Sequence, residues 1–386
     1  MLPKSTDLKL STDKYKIMKR VFQLATHGTG LTSPNPLVGC VIIKNNKIIG
    51  EGFHKKYGGK HAETAAIDNA KLSLEGATLY TNLEPCCPDI PDKKTPPCTD
   101  RIIKEKIRKV VICTIDPNPY VNGKGVEILK KSGINVEIGL LADEAKRLNE
   151  KYFKYIQTGI PFIHLKIAQS IDGRIATSQG KSQWITSQAA LKQVHELRAA
   201  YDSVLVGVKT VIVDDPLLTV RLVSGKNPKR IILDNSLNTP PEAKIISNSG
   251  ENKTIIFTST KIDKRRKEKY LQKNIKIFEV NSNGRGNLDL KEVLSTLGSL
   301  KISSVLVEGG GKIFTSFVKE KLFDKISFFI APLLIGDGIQ SIGPLGINTL
   351  AEALKLERVS IKIIDQQALV EGYRDYDSLF NFAGRY

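Results

Sequence analysis

The feature that most constrains this chain is a repeated alternation of short β-branched runs with segments of helical periodicity. A helix is expected over 13–26, where Ile17, Val21 and Leu24 recur at helical spacing. "LVGCVIIKNNKIIGEG" reads as a hairpin, two apolar arms around a turn at Asn45-Asn46. "ATLYTNLE" and "KVVICTID" read as strands among helices over 61–72, 99–106 and 124–132. Further on, "FIHLKIAQS", "SVLVGV", "KRIILD", "KTIIFTS" and "SSVLVEGG" alternate with helices such as 313–319. "RVSIKIIDQQALVEGYR" supplies two last strands. Alternation of this kind predicts an α/β protein. With 386 residues the chain exceeds what one core supports, so two domains are expected. The break falls in "QTGIPF", where Gly159 and Pro161 end a helix before a new strand. The expected domains are 12–157 and 160–384.

Charge and cysteine usage narrow the function. The formal net charge of +18 suits nucleic acid, a small phosphorylated substrate, or merely a lysine-biased proteome, and the last is the preferred reading. The basic residues are spread along the chain rather than gathered into arginine-rich tracts, so no nucleic-acid partner is expected. No apolar run approaches the roughly 18 residues of a membrane span, and "MLPKSTDLKLSTDKYKIMKR" holds no apolar core of signal-peptide length. A cytoplasmic protein without a membrane partner is the expectation. In such a compartment Cys40, Cys86, Cys87, Cys98 and Cys113 point to metal or chemistry rather than disulfides.

"HAET" and "LEPCCPDIPDKKTPPC" then stand out. Catalytic zinc sites keep three protein ligands and leave the fourth position to water. His61, Cys86 and Cys98 can supply those three, and Glu63, two residues beyond the histidine, is placed to move a proton. His-x-Glu at a helix start with a later Pro-Cys is the zinc-deaminase signature, in which the glutamate is not a ligand. Cys98 would sit at a helix N-terminus, where the dipole favours a thiolate. The Cys-x11-Cys spacing departs from the compact Cys-x-x-Cys, and Cys87 competes with Cys86 for the metal. Cys40 and Cys113, in strands, read as core packing. In the second half "SSVLVEGGGKIFTSF" is a strand, three glycines and a helix. That joint either cradles a phosphate at the helix N-terminus or serves tight packing.

"PNPLVGCVIIKNNKIIGEGFH", "HAETAAI", "GATLYTNLEPC", "TPPCTDRII" and "DPNPYVNGKGVEILKKSGI" resemble, in order, the deaminase half of the bifunctional riboflavin-biosynthesis deaminase/reductase. "LKIAQSIDGRIA", "SQWITS", "LRAAYDSVLVGVKTVIVDDPLLTVR" and "VLVEGGG" look like its reductase half. The resemblance implies a cytidine-deaminase-like three-layer α/β/α domain followed by a dihydrofolate-reductase-like α/β domain. It implies Zn²⁺ on His61, Cys86 and Cys98 with Glu63 as proton shuttle. Asn35, His54, Lys94, Asp116 and Asn118 match positions that hold the pyrimidine or its ribose phosphate. In the reductase, Ala168, Trp184, Thr210, Asp214, Gly309, Gly310, Gly311 and Lys312 would touch NADPH. Ser182, Arg198, Leu218, Arg221 and Glu308 would line the substrate site, with Lys166 near the transferred hydride. Arginine suits a substrate 5-phosphate because its planar fork grips phosphate in bidentate fashion. A homo-oligomer is expected.

One departure bears on activity. The family follows its first cysteine with Ser-His and a short loop, whereas this chain has Cys87-Pro88 and a longer one. A reductase that has lost its deaminase is therefore one alternative. Others are a tRNA-type or nucleoside deaminase with an accessory domain, and a zinc-stabilised binding protein without turnover.

Overall fold

The computed structural model describes residues 13–88, 95–181, 187–247, 254–270, 273, 275–284 and 286–380. They fall into two compact units, one running to Thr158 and taking in Phe380, the other Gly159–Leu379.

The first unit opens with α1 (Lys14–Thr26), capped by Asp13, whose carboxylate accepts the Tyr15 N–H at 3.0 Å. The hairpin of β1 (Gly39–Lys44) and β2 (Lys47–Phe53) follows. Asn45 and Asn46 turn it with φ of 50° and 59°, the left-handed pair that a two-residue turn needs. Then come α2 (Ala62–Asp68), β3 (Thr78–Thr81), α3 (Cys98–Lys104), β4 (Lys109–Ile112) and α4 (Lys124–Lys131). β5 (Asn135–Ile138), α5 (Ala142–Leu148) and α6 (Glu150–Thr158) complete the unit. The sheet order is β2-β1-β3-β4-β5, antiparallel to β3 and parallel beyond.

Helices cover both faces of this sheet. Val41, Tyr80 and Val111 pack against the apolar stripe of α1 (Ile17, Met18, Val21, Leu24) and Ala145 of α5. On the opposite face α2 lies directly on β2. A Cβ on Gly52 would stand 2.3 Å from Ala66 N and 2.6 Å from Ala62 O. This close approach fixes the first turn of α2, which carries Glu63 behind His61. The helix expected over 61–72 stops at Asp68, because the chain turns back to the sheet and Lys71 N–H bonds Ile49 O at 3.3 Å.

The second unit contains β6 (Phe162–Ser170), β7 (Arg174–Ala176), α7 (Gln188–Ala200), β8 (Ser203–Gly207), α8 (Val208–Asp214) and β9 (Lys229–Leu233). After α9 (Lys244–Ser247) come β10 (Thr254–Ser259), β11 (Ile275–Val280), α10 (Leu290–Ser299), β12 (Ser304–Val307) and α11 (Gly311–Lys319). β13 (Lys325–Ala331), β14 (Ile339–Gln340), β15 (Glu357–Ile364) and β16 (Gln367–Tyr373) end it. The main sheet runs β11-β10-β9-β8-β12-β6-β13-β16-β15, parallel up to β13 and antiparallel over the last two strands. β8 and β12 are buried along their whole length, as parallel strands covered on both faces are. Open parallel sheets place ligands beyond the carboxyl ends of their strands.

The contact between Gly52 and α2 makes a prediction. Gly52→Ala forces α2 away from β2 and is expected to cost about 1–3 kcal/mol, the usual range for overpacking. Urea unfolding and the zinc-to-protein ratio after dialysis measure it. Unchanged stability together with unchanged zinc retention would contradict the packing argument.

Candidate metal centre and reductase cavity

Three elements bring one imidazole and two sulfurs together. His61 precedes α2, Cys86 lies in the loop after β3, and Cys98 begins α3. Their donor atoms all lie within 4.8 Å of one another. His61 Nδ1 is 3.2 Å from Cys86 Sγ and 3.5 Å from Cys98 Sγ. The Cys98 N–H points at Cys86 Sγ from 3.4 Å. Cys87, the competing ligand, turns its sulfur to Tyr120 O at 3.5 Å. His61 Nε2 lies 3.3 Å from the Thr95 hydroxyl. If that nitrogen donates, the lone pair falls on Nδ1, on the side of the sulfurs. Such a second partner fixes the tautomer of a metal-binding histidine.

The donor set fits a zinc ion. Cys86 and Cys98 are buried, and Glu63, 3% exposed, places Oε2 3.4 Å from Cys98 Sγ. The neighbouring Cys86 and burial push the Cys98 thiol well above its ordinary range. Burial and the nearby Cys86 push the Glu63 carboxyl up as well. Ionising soft ligands in a dry pocket is costly unless a cation compensates. Two thiolates and a neutral imidazole neutralise Zn²⁺ and leave a position open.

In the second unit a cavity of about 590 Å³ opens beside the ends of β8 and β12. Ala168, Thr210, Asp214, Gly309, Gly310, Gly311 and Lys312 line it, together with Lys166 and Glu308. Two of the glycines are sterically required. A Cβ on Gly309 would come 2.8 Å from Ile313, and one on Gly311 would come 2.2 Å from Gln340 O. Gly310 caps α11 without any side-chain bond, so the first N–H groups of that helix are open to an anionic group such as a cofactor phosphate. Arg198 grips Glu308 through Nε and Nη2 at 2.7 and 2.8 Å. Burial raises the Glu308 carboxyl, but Arg198 outweighs it and holds the group below the usual range. Burial lowers the Lys166 ammonium, with Glu308 opposing and Arg198 adding to the effect.

Residues 161–370 match the family described as RibD C-terminal domain, and residues 11–114 match the cytidine and deoxycytidylate deaminase zinc-binding region. The riboflavin biosynthesis protein RibD of Aquifex aeolicus (strain VF5) is 44% identical over 354 residues, 92% of this chain and 96% of that protein. The chain belongs to the RibD family. Solved RibD of Acinetobacter baumannii (form 1) superposes with a TM-score of 0.82 at 36% identity, covering 93% of this chain and 98% of that one. The deaminase/reductase of Thermotoga maritima gives 0.81 at 38% identity, with the same coverages. The α/β architecture expected from the sequence, a cytidine-deaminase-like part followed by a RibD reductase part, is thus the family's own. The chain is a bifunctional deaminase and reductase of riboflavin biosynthesis.

The remaining RibD positions sort as follows. His54 Nδ1 meets Lys60 O at 2.9 Å, so it carries the proton, and Nε2 therefore accepts from Asn35 Nδ2 at 3.1 Å. Asn35 is thereby oriented with its carbonyl oxygen left for a ligand. Asn118 N donates to Asp116 Oδ1 at 2.9 Å, and Asn118 Oδ1 accepts from Tyr120 N at 3.1 Å. Arg221 is exposed, while the Leu218 side chain packs in an apolar cluster with Val204, Val206 and Ile232. Neither Arg198, Leu218 nor Arg221 is among the residues lining the cavity. Lys94, Ser182 and Trp184 lie outside the described residues.

Sequence reasoning missed Thr95, Tyr152 and Glu84. Glu84 is 3% exposed and accepts the N–H groups of Asp116, Gly123 and Val126 at 2.9–3.1 Å. It ties the loop bearing Cys86 to the Asp116 loop and to α4. It stood in view inside "LEPC", but nothing in the spacing reveals partners so far along the chain. Tyr152 donates to Asp116 Oδ1 at 2.8 Å.

Burial pushes the Asp116 carboxyl up to about 7, against the pull of its bonds from Asn118 and Tyr152. An unfolded Asp titrates near 3.9. Folding therefore takes up a proton, and stability on this account is full below about pH 4 and lost as pH rises through 7. Relative to wild type, Asp116→Asn should gain stability between pH 4.5 and pH 8, by roughly 4 kcal/mol at most. Urea midpoints of both proteins at the two pH values test this. A difference that is flat, or that favours wild type at high pH, contradicts it.

Proposed function

We propose that the first unit hydrolytically deaminates 2,5-diamino-6-ribosylamino-4(3H)-pyrimidinone 5′-phosphate, and that the second reduces the ribosylamino group of the product to ribitylamino with NADPH. The observation that carries the first step is the convergence of His61, Cys86 and Cys98 beside the buried Glu63. Zinc held there lowers the pKa of water to near 7. Glu63 takes a proton from the attacking water and passes protons to the ring nitrogen and the departing ammonia. Asn35, held by His54, reads the pyrimidine edge, and Asp116 and Asn118 shape the opposite loop. Lys94 is assigned to the phosphate by resemblance alone.

For the reductase, the glycine-lined cavity and the open N-terminus of α11 support a dinucleotide phosphate at Gly309–Lys312, with Ala168, Thr210 and Asp214 around it. Trp184 is assigned to the cofactor by resemblance alone. NADPH supplies the hydride, and the protein supplies orientation and charge. Lys166 stands beside the sugar in its open imine form. Ser182, Arg198, Leu218, Arg221 and Glu308 complete the substrate site. A cytoplasmic homo-oligomer without nucleic acid is the setting we assign. Among the described residues no helix is long and apolar enough to cross a membrane. Support for an oligomer comes from edge strand β15, where Val359, Ile361 and Ile363 are 52%, 67% and 72% exposed.

Glu63→Gln is expected to lower ammonia release at least ~100-fold, as loss of an acid-base group does. Zinc content and NADPH oxidation with the deaminated substrate should stay at wild-type levels. Ammonia release that survives the substitution overturns the role of Glu63. If wild type releases none while still oxidising NADPH, the chain is a reductase alone.

A further inference from the structure

The segment Thr219–Leu222 carries Arg221 yet forms no strand or helix, so its backbone groups must find partners elsewhere. Side chains supply them. Asn227 Oδ1 accepts the Val220 N–H at 2.7 Å. His195 Nδ1 accepts the Arg221 N–H at 2.8 Å, with the Leu222 N–H next to it at 3.4 Å. Arg198, one turn further along α7, donates Nη1 to Thr219 O at 3.3 Å while its other nitrogens hold Glu308. One face of α7 thus grips this segment at both ends and ties it to the wall of the cavity.

The chemistry of the grip identifies the state of His195. Its Nδ1 faces backbone donors, so it must offer a lone pair, and the proton of the neutral ring sits on Nε2. His195 is only 3% exposed, and Arg198 and Arg221 lie close by with Glu308. A charged ring would set an N–H against two others among guanidinium groups. Burial and these two arginines indeed hold its pKa below the ordinary value.

We infer that His195 is a positioning residue of the reductase, a backbone acceptor that holds Thr219–Leu222 so that Arg221 meets the substrate phosphate. The inference rests on the proposed assignment of Arg221 to the substrate. Neither His195 nor Arg221 lines the cofactor cavity, so loss of this bond should act on the pyrimidine far more than on NADPH.

Steady-state reduction, measured with the deaminated pyrimidine phosphate and NADPH, tests it. His195→Phe keeps a ring but removes the acceptor. KM for the pyrimidine is expected to rise about 10-fold, the upper end for the loss of one hydrogen bond between neutral groups. kcat and KM for NADPH should change less than twofold, roughly the scatter of independent effects. His195→Asn, which restores an acceptor near Nδ1, should return KM towards wild type. Adding His195→Phe to Arg221→Met should raise KM no further than Arg221→Met alone. If His195→Phe does not fold, His195→Ala takes its place in each comparison. An unchanged pyrimidine KM in His195→Phe while Arg221→Met raises it overturns the inference. So does a failure of Asn to rescue. No KM effect from Arg221→Met would instead remove the assignment of Arg221 on which the inference stands.

Discussion

Two thiols, an imidazole and a carboxyl packed within a few ångströms, with three of the four groups buried, cannot all take their reactive forms without a nearby cation. Much of the first unit serves to hold that cluster together. Gly52 lets α2 settle onto β2, which places His61 and Glu63 over the sheet. Glu84 gathers three backbone N–H groups and so anchors the loop that delivers Cys86. α3 starts at Cys98 with its first N–H aimed at the Cys86 sulfur. The binding energy of the ion and the packing of the unit are therefore coupled.

The second unit solves a different problem, the binding of a large anionic cofactor next to a phosphorylated sugar. Its parallel strands end in short joints where glycine is sterically required, at Gly309 and Gly311. A dry, bidentate pair of Arg198 and Glu308 stiffens the wall between those joints and α7. Removing one partner of such a pair strands a buried charge, which typically costs several kcal/mol. That rigidity suits a site that must hold cofactor and substrate in a fixed orientation.

The two units also differ in how much the sequence reveals. Strand–helix alternation and the Asn45-Asn46 turn are local signals, and both appear in the structure as read, while Asp13, expected inside the first helix, caps it instead. The metal-binding triad was readable because His-x-Glu and Pro-Cys fix residue types as well as spacing. The motif favours Cys86 over Cys87, because Cys86 directly follows Glu84-Pro85, and the donor atoms that lie together are those of His61, Cys86 and Cys98. The length of α2 was misread because periodicity cannot register that Lys71 returns to pair with Ile49. Glu84, Tyr152 and His195 escaped for a related reason: their partners lie on other elements, brought near only by the fold. β5 went unread although Ile134, Val136 and Ile138 alternate with Asn135 and Glu137, because a four-residue strand is too short a run to stand out.

The most direct test of the whole account is zinc-edge X-ray absorption on the purified, zinc-loaded chain. Two sulfurs near 2.3 Å and two nitrogen or oxygen neighbours near 2.0–2.1 Å are the expected shell. A shell of three sulfurs, which would bring in Cys87, or a chain that retains no zinc at all, would contradict it.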